Sequence, residues 1–238
     1  MKPLKILNLN IWNYNKWEER KPKIISFIRK HNPDIIILQE VRDDLQFNKK
    51  GNNQAEQLNS ILKYPYLVFY PVENKRKERP EKYKLPCVEG STVLSRFPII
   101  KTDEKKLKKH PEDKYGCGNL FVKLKNGNET IDLVAVHFSP NDLFSKLHLI
   151  ETLEQVKKKK IRPIIVGDFN IHEQGVFNEL TEDYKSSMKF KKYTSYPLAN
   201  WTLDYILIPR EFSFKSLKCE GNISDHKALI AEIDISKI

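Results

Sequence analysis

A chain of 238 residues buries well over half of its unfolded surface on folding, and 39% hydrophobic with 11% aromatic residues suffices for a core. Wholesale disorder is excluded, and one domain across residues 1–238 is expected. Lys and Arg outnumber Asp and Glu by 42 to 31, a formal charge of +11 that attracts polyanions, although runs such as Lys157 to Lys160 also read as solvated helix faces.

From Met1 the chain enters LKILNLNIW with no apolar stretch long enough for a signal segment or a membrane span. Leu4 to Ile11 reads as a strand in which Leu7, Leu9 and Ile11 interleave with Asn8 and Asn10. Helical spacing covers Trp17 to Arg29. Asp34 to Gln39 is a strand apolar on both faces that ends in Glu40, and Ala55 to Leu62 returns to helical spacing. Tyr66 to Tyr70 is a strand. Glu73 to Pro86, dense in Lys, Arg and Pro, predicts an exposed loop whose Lys75, Arg76, Lys77 and Arg79 form a basic surface. Thr92 to Ser95 is a strand, and Lys109 to Gly118 a second exposed loop. Strands over Leu120 to Leu124 and Ile131 to Phe138 follow, the latter presenting His137. Leu143, Leu147, Ile150, Leu153 and Val156 recur three or four apart and predict an amphipathic helix with that face buried. In IRPIIVGDFN a core strand over Ile164 to Gly167 ends abruptly in Asp168 and Asn170. Leu203 to Ile208 carries Asp204, and Asp225 with His226 precedes the last strand, Ala228 to Ile233.

Doubly apolar strands interspersed with helices predict an α/β fold. Two sheets packed face to face, each covered outside by helices, would bury the central strands and leave their ends exposed at one rim; a doubly wound single sheet is the alternative. Cys87, Cys117 and Cys219 cannot all pair within one chain and lack metal-type spacing, so free thiols in a reducing compartment, the cytoplasm, are expected.

Asn10, Glu40, His137, Asp168, Asp204, Asp225 and His226 all stand at the ends of apolar strands. Singly, each has a structural reading: a turn, a helix cap, a hydrogen-bonded core histidine. Jointly they suit hydrolysis of a phosphate ester. A hard oxygen ligand, chiefly Glu40, suits Mg2+ or Mn2+; Asp168 can orient or deprotonate water, Asn170 can fix it, and Asp204 can orient His226 against the phosphate. Zinc suits the set less well, because no Cys takes part and the histidines lack ligand spacing.

These motifs resemble the endonuclease/exonuclease/phosphatase superfamily of Mg2+-dependent phosphoesterases, with a deoxyribonuclease-like fold. The likeness runs in order through LKILNLNIW, LQEVRD, GSTVLSRFPI, VAVHFSP, VGDFN, LDYILI and SDH. It implies a four-layer α-β-β-α sandwich of two packed mixed sheets. It implies Glu40 as principal metal ligand with Asn10 and Asp225 near the metal, Asp168 and Asn170 on the nucleophile, and Asp204 orienting His226. The branch resembling pancreatic deoxyribonuclease further implies a Glu89–His137 pair and an Arg42 that touches nucleic acid. By the same likeness the expected reaction is phosphodiester hydrolysis in DNA or RNA. A phosphatase or a lipid or small-molecule phosphodiesterase is the alternative within the superfamily, and a catalytically inactive binding protein the alternative outside enzymes.

Overall fold

The computed structural model describes residues 3–173, 175–177 and 183–236. It contains two six-stranded mixed sheets. The first runs in the order β11 (Ser213–Glu220), β12 (Ala228–Asp234), β1 (Leu4–Asn10), β2 (Ile35–Asp44), β4 (Cys87–Ser95), β3 (Tyr66–Asn74). The second runs β5 (Ile99–Lys106), β6 (Gly118–Asn126), β7 (Glu129–His137), β8 (Ile164–Asp168), β10 (Asp204–Pro209), β9 (Tyr184–Ser186). Each sheet has a parallel pair, β1 with β2 and β7 with β8, and its other pairings are antiparallel. The crossover within each pair is a long helix: α1 (Trp17–His31) in the first sheet and α4 (Asp142–Lys159) in the second.

Alternation along the strands builds the layers. Leu4 and Ile6 of β1, Ile35 and Ile37 of β2, Leu133 and Ala135 of β7, and Ile164 and Val166 of β8 share one core between the sheets. The opposite faces pack outward. Leu7, Leu9, Ile36 and Leu38 meet α1 and α2 (Gln54–Leu62), while Val134, Val136 and Ile165 meet α4. The result is the expected α-β-β-α sandwich rather than a single doubly wound sheet. Short helices α3 (Lys75–Glu78) and α5 (Ser187–Phe190) complete it, and among the described residues no helix is long and apolar enough to cross a membrane.

Helices α2 and α4 start where asparagines cap them. Asn53 accepts from the Ala55 and Glu56 amides, and Asn141 from those of Leu143 and Phe144. Helix α4 departs from its expected orientation. Leu143, Leu147 and Ile150 are 63%, 48% and 41% exposed, and the buried stripe is Phe144, Ser145, His148, Leu149, Thr152 and Val156. That stripe buries polar groups only because each is bonded. Ser145 donates to the Asn170 carbonyl at 3.1 Å, and Thr152 accepts from Asn119 at 2.9 Å.

The segment expected as a basic loop also differs. Strand β3 continues to Asn74, and Lys75 is buried with its ammonium shared between Glu73 and, at 2.8 Å, Glu89. Lys75 is therefore a structural cation, while Arg76, Lys77 and Arg79 stay at the surface or half-buried.

Candidate active site

The inter-sheet stripes turn polar at one rim. On β1 the parity of Leu4 and Ile6 continues to Asn8 and Asn10; on β7 that of Leu133 and Ala135 reaches His137; on β8 that of Ile164 and Val166 reaches Asp168. Both parallel pairs end here, and β10 and β12, antiparallel to them, begin here with Asp204 and with Asp225–His226 just ahead. Loops at the carboxyl ends of parallel strands are where α/β sheets place ligand sites.

Glu40 reaches the rim through a bulge. Between Leu38 and Val41, β2 carries one residue more than β4 opposite, and the phase slips: Ile36, Leu38 and Val41 all face α1 and α2. Glu40 itself takes φ 55°, a left-handed conformation costly for a side chain with a Cβ. Two carboxamides hold it there. Asn10 donates to one carboxylate oxygen at 3.1 Å and Asn13 to the other at 2.9 Å.

Asn10 joins the two sheets. Its amino group also donates to Asp168 at 3.1 Å, and its carbonyl oxygen accepts the Trp12 amide at 3.0 Å, so it positions the carboxylates with its own polar atoms spent. Asp204 is equally committed. Asn8 donates to one of its oxygens at 3.0 Å, and the other sits 2.7 Å from His226 Nδ1. His226 Nε2 and His137 Nε2 each lie 3.8 Å from the same oxygen of Asp168. The Asn170 amide donates to Asp168 at 3.0 Å and its carboxamide donates to the Phe138 carbonyl at 3.0 Å.

Burial pushes the Asp168 carboxyl up to about 6, with His226 pulling it back. Burial disfavours charge on His226, yet Asp204 and Asp168 outweigh it and hold the imidazole at about 10. The Asp225 carboxyl is raised by burial and, in spite of His226, by the charge of Glu40. Among the described residues neither Glu40 nor Asp225 enters an ion pair: their bonds come from carboxamides, the Ser224 hydroxyl and a backbone amide. Two neighbouring uncompensated carboxylates fit a hard divalent cation. Asp168, Asp204 and His226 also lie with ligand atoms within 4.8 Å of one another, but Asp204 has both oxygens occupied and His226 one nitrogen, so this trio fits a proton-holding set better than a cation.

Glu89 does not pair with His137. Its carboxylate is taken by Arg42 and by Lys75, and the recorded partner of His137 is Asp168. The cross-strand register explains this, because Glu89 stands opposite Arg42 on β2 and Glu73 on β3. Arg42 and Glu89 still line the same cleft as Asp168 and His226, a hollow of about 390 Å3.

Two residues passed over in the sequence shape this rim. Asn13 lies in an irregular loop with no pattern to mark it. Arg20 of α1 donates to the carbonyls of Ile11, Trp12, Asn13, Asn15 and Ile223, stapling the loop that carries Asn13 to the segment before Asp225. A signal existed: Trp17, Arg20, Ile24 and Ile28 follow one helical stripe, so an arginine falls on a buried face.

A two-sheet sandwich whose rim gathers carboxylates and imidazoles defines a class of phosphoester-cleaving proteins. Residues 7–226 match the family model described as the Endonuclease/Exonuclease/phosphatase family, and the chain belongs to that family. It is 24% identical over 200 residues to Uncharacterized protein L388 of Acanthamoeba polyphaga mimivirus, covering 74% of this chain and 70% of that one. The human Nocturnin catalytic domain with bound sulfate anion superposes with a TM-score of 0.75 at 22% identity, covering 98% of this chain and 94% of that one. D. rerio TDP2 complexed with single strand DNA product gives 0.69 at 12% identity, covering 97% and 98%.

Proposed function

We propose that the chain is a divalent-metal-dependent phosphodiesterase that cleaves DNA or RNA by attack of an activated water. The observation that carries this reading is the convergence of Glu40, Asp168, Asp204 and His226 at one rim, joined across the sheets by Asn10. Sulfate bound in Nocturnin and a single-stranded DNA product in TDP2 are in keeping with it.

Glu40 and Asp225 would hold the cation, Mg2+ or Mn2+, which when bound neutralises charge on the phosphoryl oxygens. Asp168, titrating near 6, accepts a proton from the attacking water at neutral pH, and Asn170 offers that water its carboxamide oxygen. His226 remains an imidazolium because Asp204 faces it, and its Nε2 donates to a phosphoryl oxygen. His137, 3.8 Å from the same Asp168 oxygen, donates to the phosphate or its leaving oxygen.

The test is a panel of plasmid, single-stranded DNA, RNA, a phosphomonoester and a lipid phosphodiester, each with Mg2+, with Mn2+ and with chelator. Metal-dependent cleavage of nucleic acid, reduced roughly 10²-fold or more by Asp168→Asn and by His226→Ala, is expected. Cleavage that survives both substitutions, or turnover confined to the phosphomonoester, would refute the assignment.

A further inference from the structure

The cleft does not end at Arg42. A second hollow, of about 340 Å3, adjoins it and shares Asn13, Arg42, Lys82 and Tyr83 in its lining. Its far wall is Tyr14 and Phe47. The two rings stack at 4.7 Å and 18°, and Phe47 is 55% exposed, so one face of Phe47 is covered and the other is open. Tyr14 is fixed beneath it, its hydroxyl donating to Asn48 at 2.7 Å and accepting from Gln57 at 3.1 Å.

Two cations, Arg42 and Lys82, and one buried acid, Asp44, line this hollow. Arg42 and Lys82 both lie over the Tyr83 ring, each 5.6 Å from its centroid. Lys82 is exposed and, among the described residues, enters no ion pair; Arg42 spends its Nε on Glu89. The acids nearby bond within their own turn, Asp43 accepting from Asn48 and Gly51, and Asp44 accepting the Gln46 amide at its carboxylate while its own amide donates to the Asn48 side chain. Cations beside the open face of Phe47 make a track for an unpaired strand: phosphates meet the cations, and a base can stack only when it is not already stacked in a duplex.

We propose that this hollow is a subsite for a nucleotide flanking the scissile phosphate of a single-stranded nucleic acid, with its base on Phe47 and its phosphate on Arg42 and Lys82. This deepens the phosphodiesterase reading and rests on it for the position of the scissile bond. The substrate is then a chain with a nucleotide on the Arg42 side of the cut, whether DNA or RNA.

The test uses the full chain with Asp168→Asn, to leave oligonucleotide uncut, and reads the fluorescence anisotropy of a labelled hexanucleotide in a DNA arm and an RNA arm. Phe47→Ala is expected to weaken binding roughly fivefold or more, the scale of one base–aromatic stack, while Phe47→Tyr keeps the affinity. Lys82→Glu, at an exposed position where packing is not at stake, should weaken binding and flatten its salt dependence. Affinities within about twofold of the parent for both weakening variants, Phe47→Ala and Lys82→Glu, in both arms, would overturn the subsite. Hydrolysis of bis(4-nitrophenyl) phosphate by the wild-type chain is measured alongside. If no metal supports it while the anisotropy losses stand, the phosphodiesterase reading fails and the nucleic-acid subsite survives.

Discussion

Replacing Lys75 by Met should expose how much of the cleft wall depends on one ammonium. Its partners, Glu73 and Glu89, stand opposite each other on β3 and β4, both buried, and Lys75 bonds a carboxylate oxygen of each. Without the cation, two charges about 5 Å apart at an effective dielectric of about 20 repel by about 3 kcal/mol, in line with the roughly 3–5 kcal/mol lost when a buried pair is broken. The cost depends on pH with a definite sign. Burial would raise the Glu89 carboxyl, but Lys75 and then Arg42 outweigh it and hold it below its ordinary 4.5. Its stabilising contribution is therefore present above that value and lost only as pH falls through the lower folded value, so wild type keeps it at pH 5. Glu73, raised by burial in spite of Lys75, is the carboxyl ready to take a proton in the variant. Urea denaturation should show Lys75→Met destabilised by about 3 kcal/mol at pH 7.5, shrinking to under about 2 kcal/mol at pH 5 as one carboxyl protonates. A loss below about 1 kcal/mol at pH 7.5, or one unchanged at pH 5, would refute the buried-pair account.

Asp204→Asn removes the partner of His226 Nδ1 while keeping the acceptor for Asn8, so cleavage should fall roughly 10²-fold or more with the far-ultraviolet spectrum unchanged. Mg2+ or Mn2+ is expected to raise the melting temperature of the wild-type chain, and Glu40→Gln to abolish that rise, an effect read without any substrate. On α4, Leu149→Ala should cost about 2–5 kcal/mol and Leu147→Ala less than about 0.5, because Leu149 is fully buried and Leu147 is half-exposed; equal losses would contradict the observed helix rotation. Gly167→Ala should prevent correct folding, since a Cβ there would meet the Val136 carbonyl oxygen at 1.9 Å, and a soluble variant of wild-type stability would be the opposing result.

The sandwich was legible because its central strands carry their burial in their letters. DIIIL and PIIV are apolar on both faces, as strands packed between a second sheet and a helix must be. Edge strands carry no such mark. The β5 sequence IIKTDEKK alternates only briefly before dissolving into charge, which suits an edge and hides a strand. The α4 stripe misled for a different reason: apolar spacing identifies a candidate buried face only when the polar residues between lack partners, and Ser145, His148 and Thr152 all have them. The bulge at Glu40 was invisible, because an inserted residue is a matter of pairing with β4 and leaves no periodic trace in β2 alone.

The same distinction divides the site. Asn10, Asp168 and Asp204 could be read from sequence because each interrupts an apolar stripe at a strand end, where an unpaired carboxylate or carboxamide would cost several kcal/mol. Asn13 lies in an irregular loop that no periodic pattern marks, while Arg20, which bonds that loop's carbonyls, is marked only by falling on the buried stripe of α1. The Glu89–Arg42–Lys75 arrangement shows the limit of carrying a pairing over by likeness. Which cation meets a carboxylate depends on cross-strand register, and here β2 places Arg42 opposite Glu89 while β3 brings Glu73 and, two residues on at the start of α3, Lys75. His137 is consequently left facing Asp168. One Asp168 oxygen lies 3.8 Å from an imidazole nitrogen of each histidine, and the His137 half of that geometry arises because β7 and β8 run parallel and in register at His137 and Asp168.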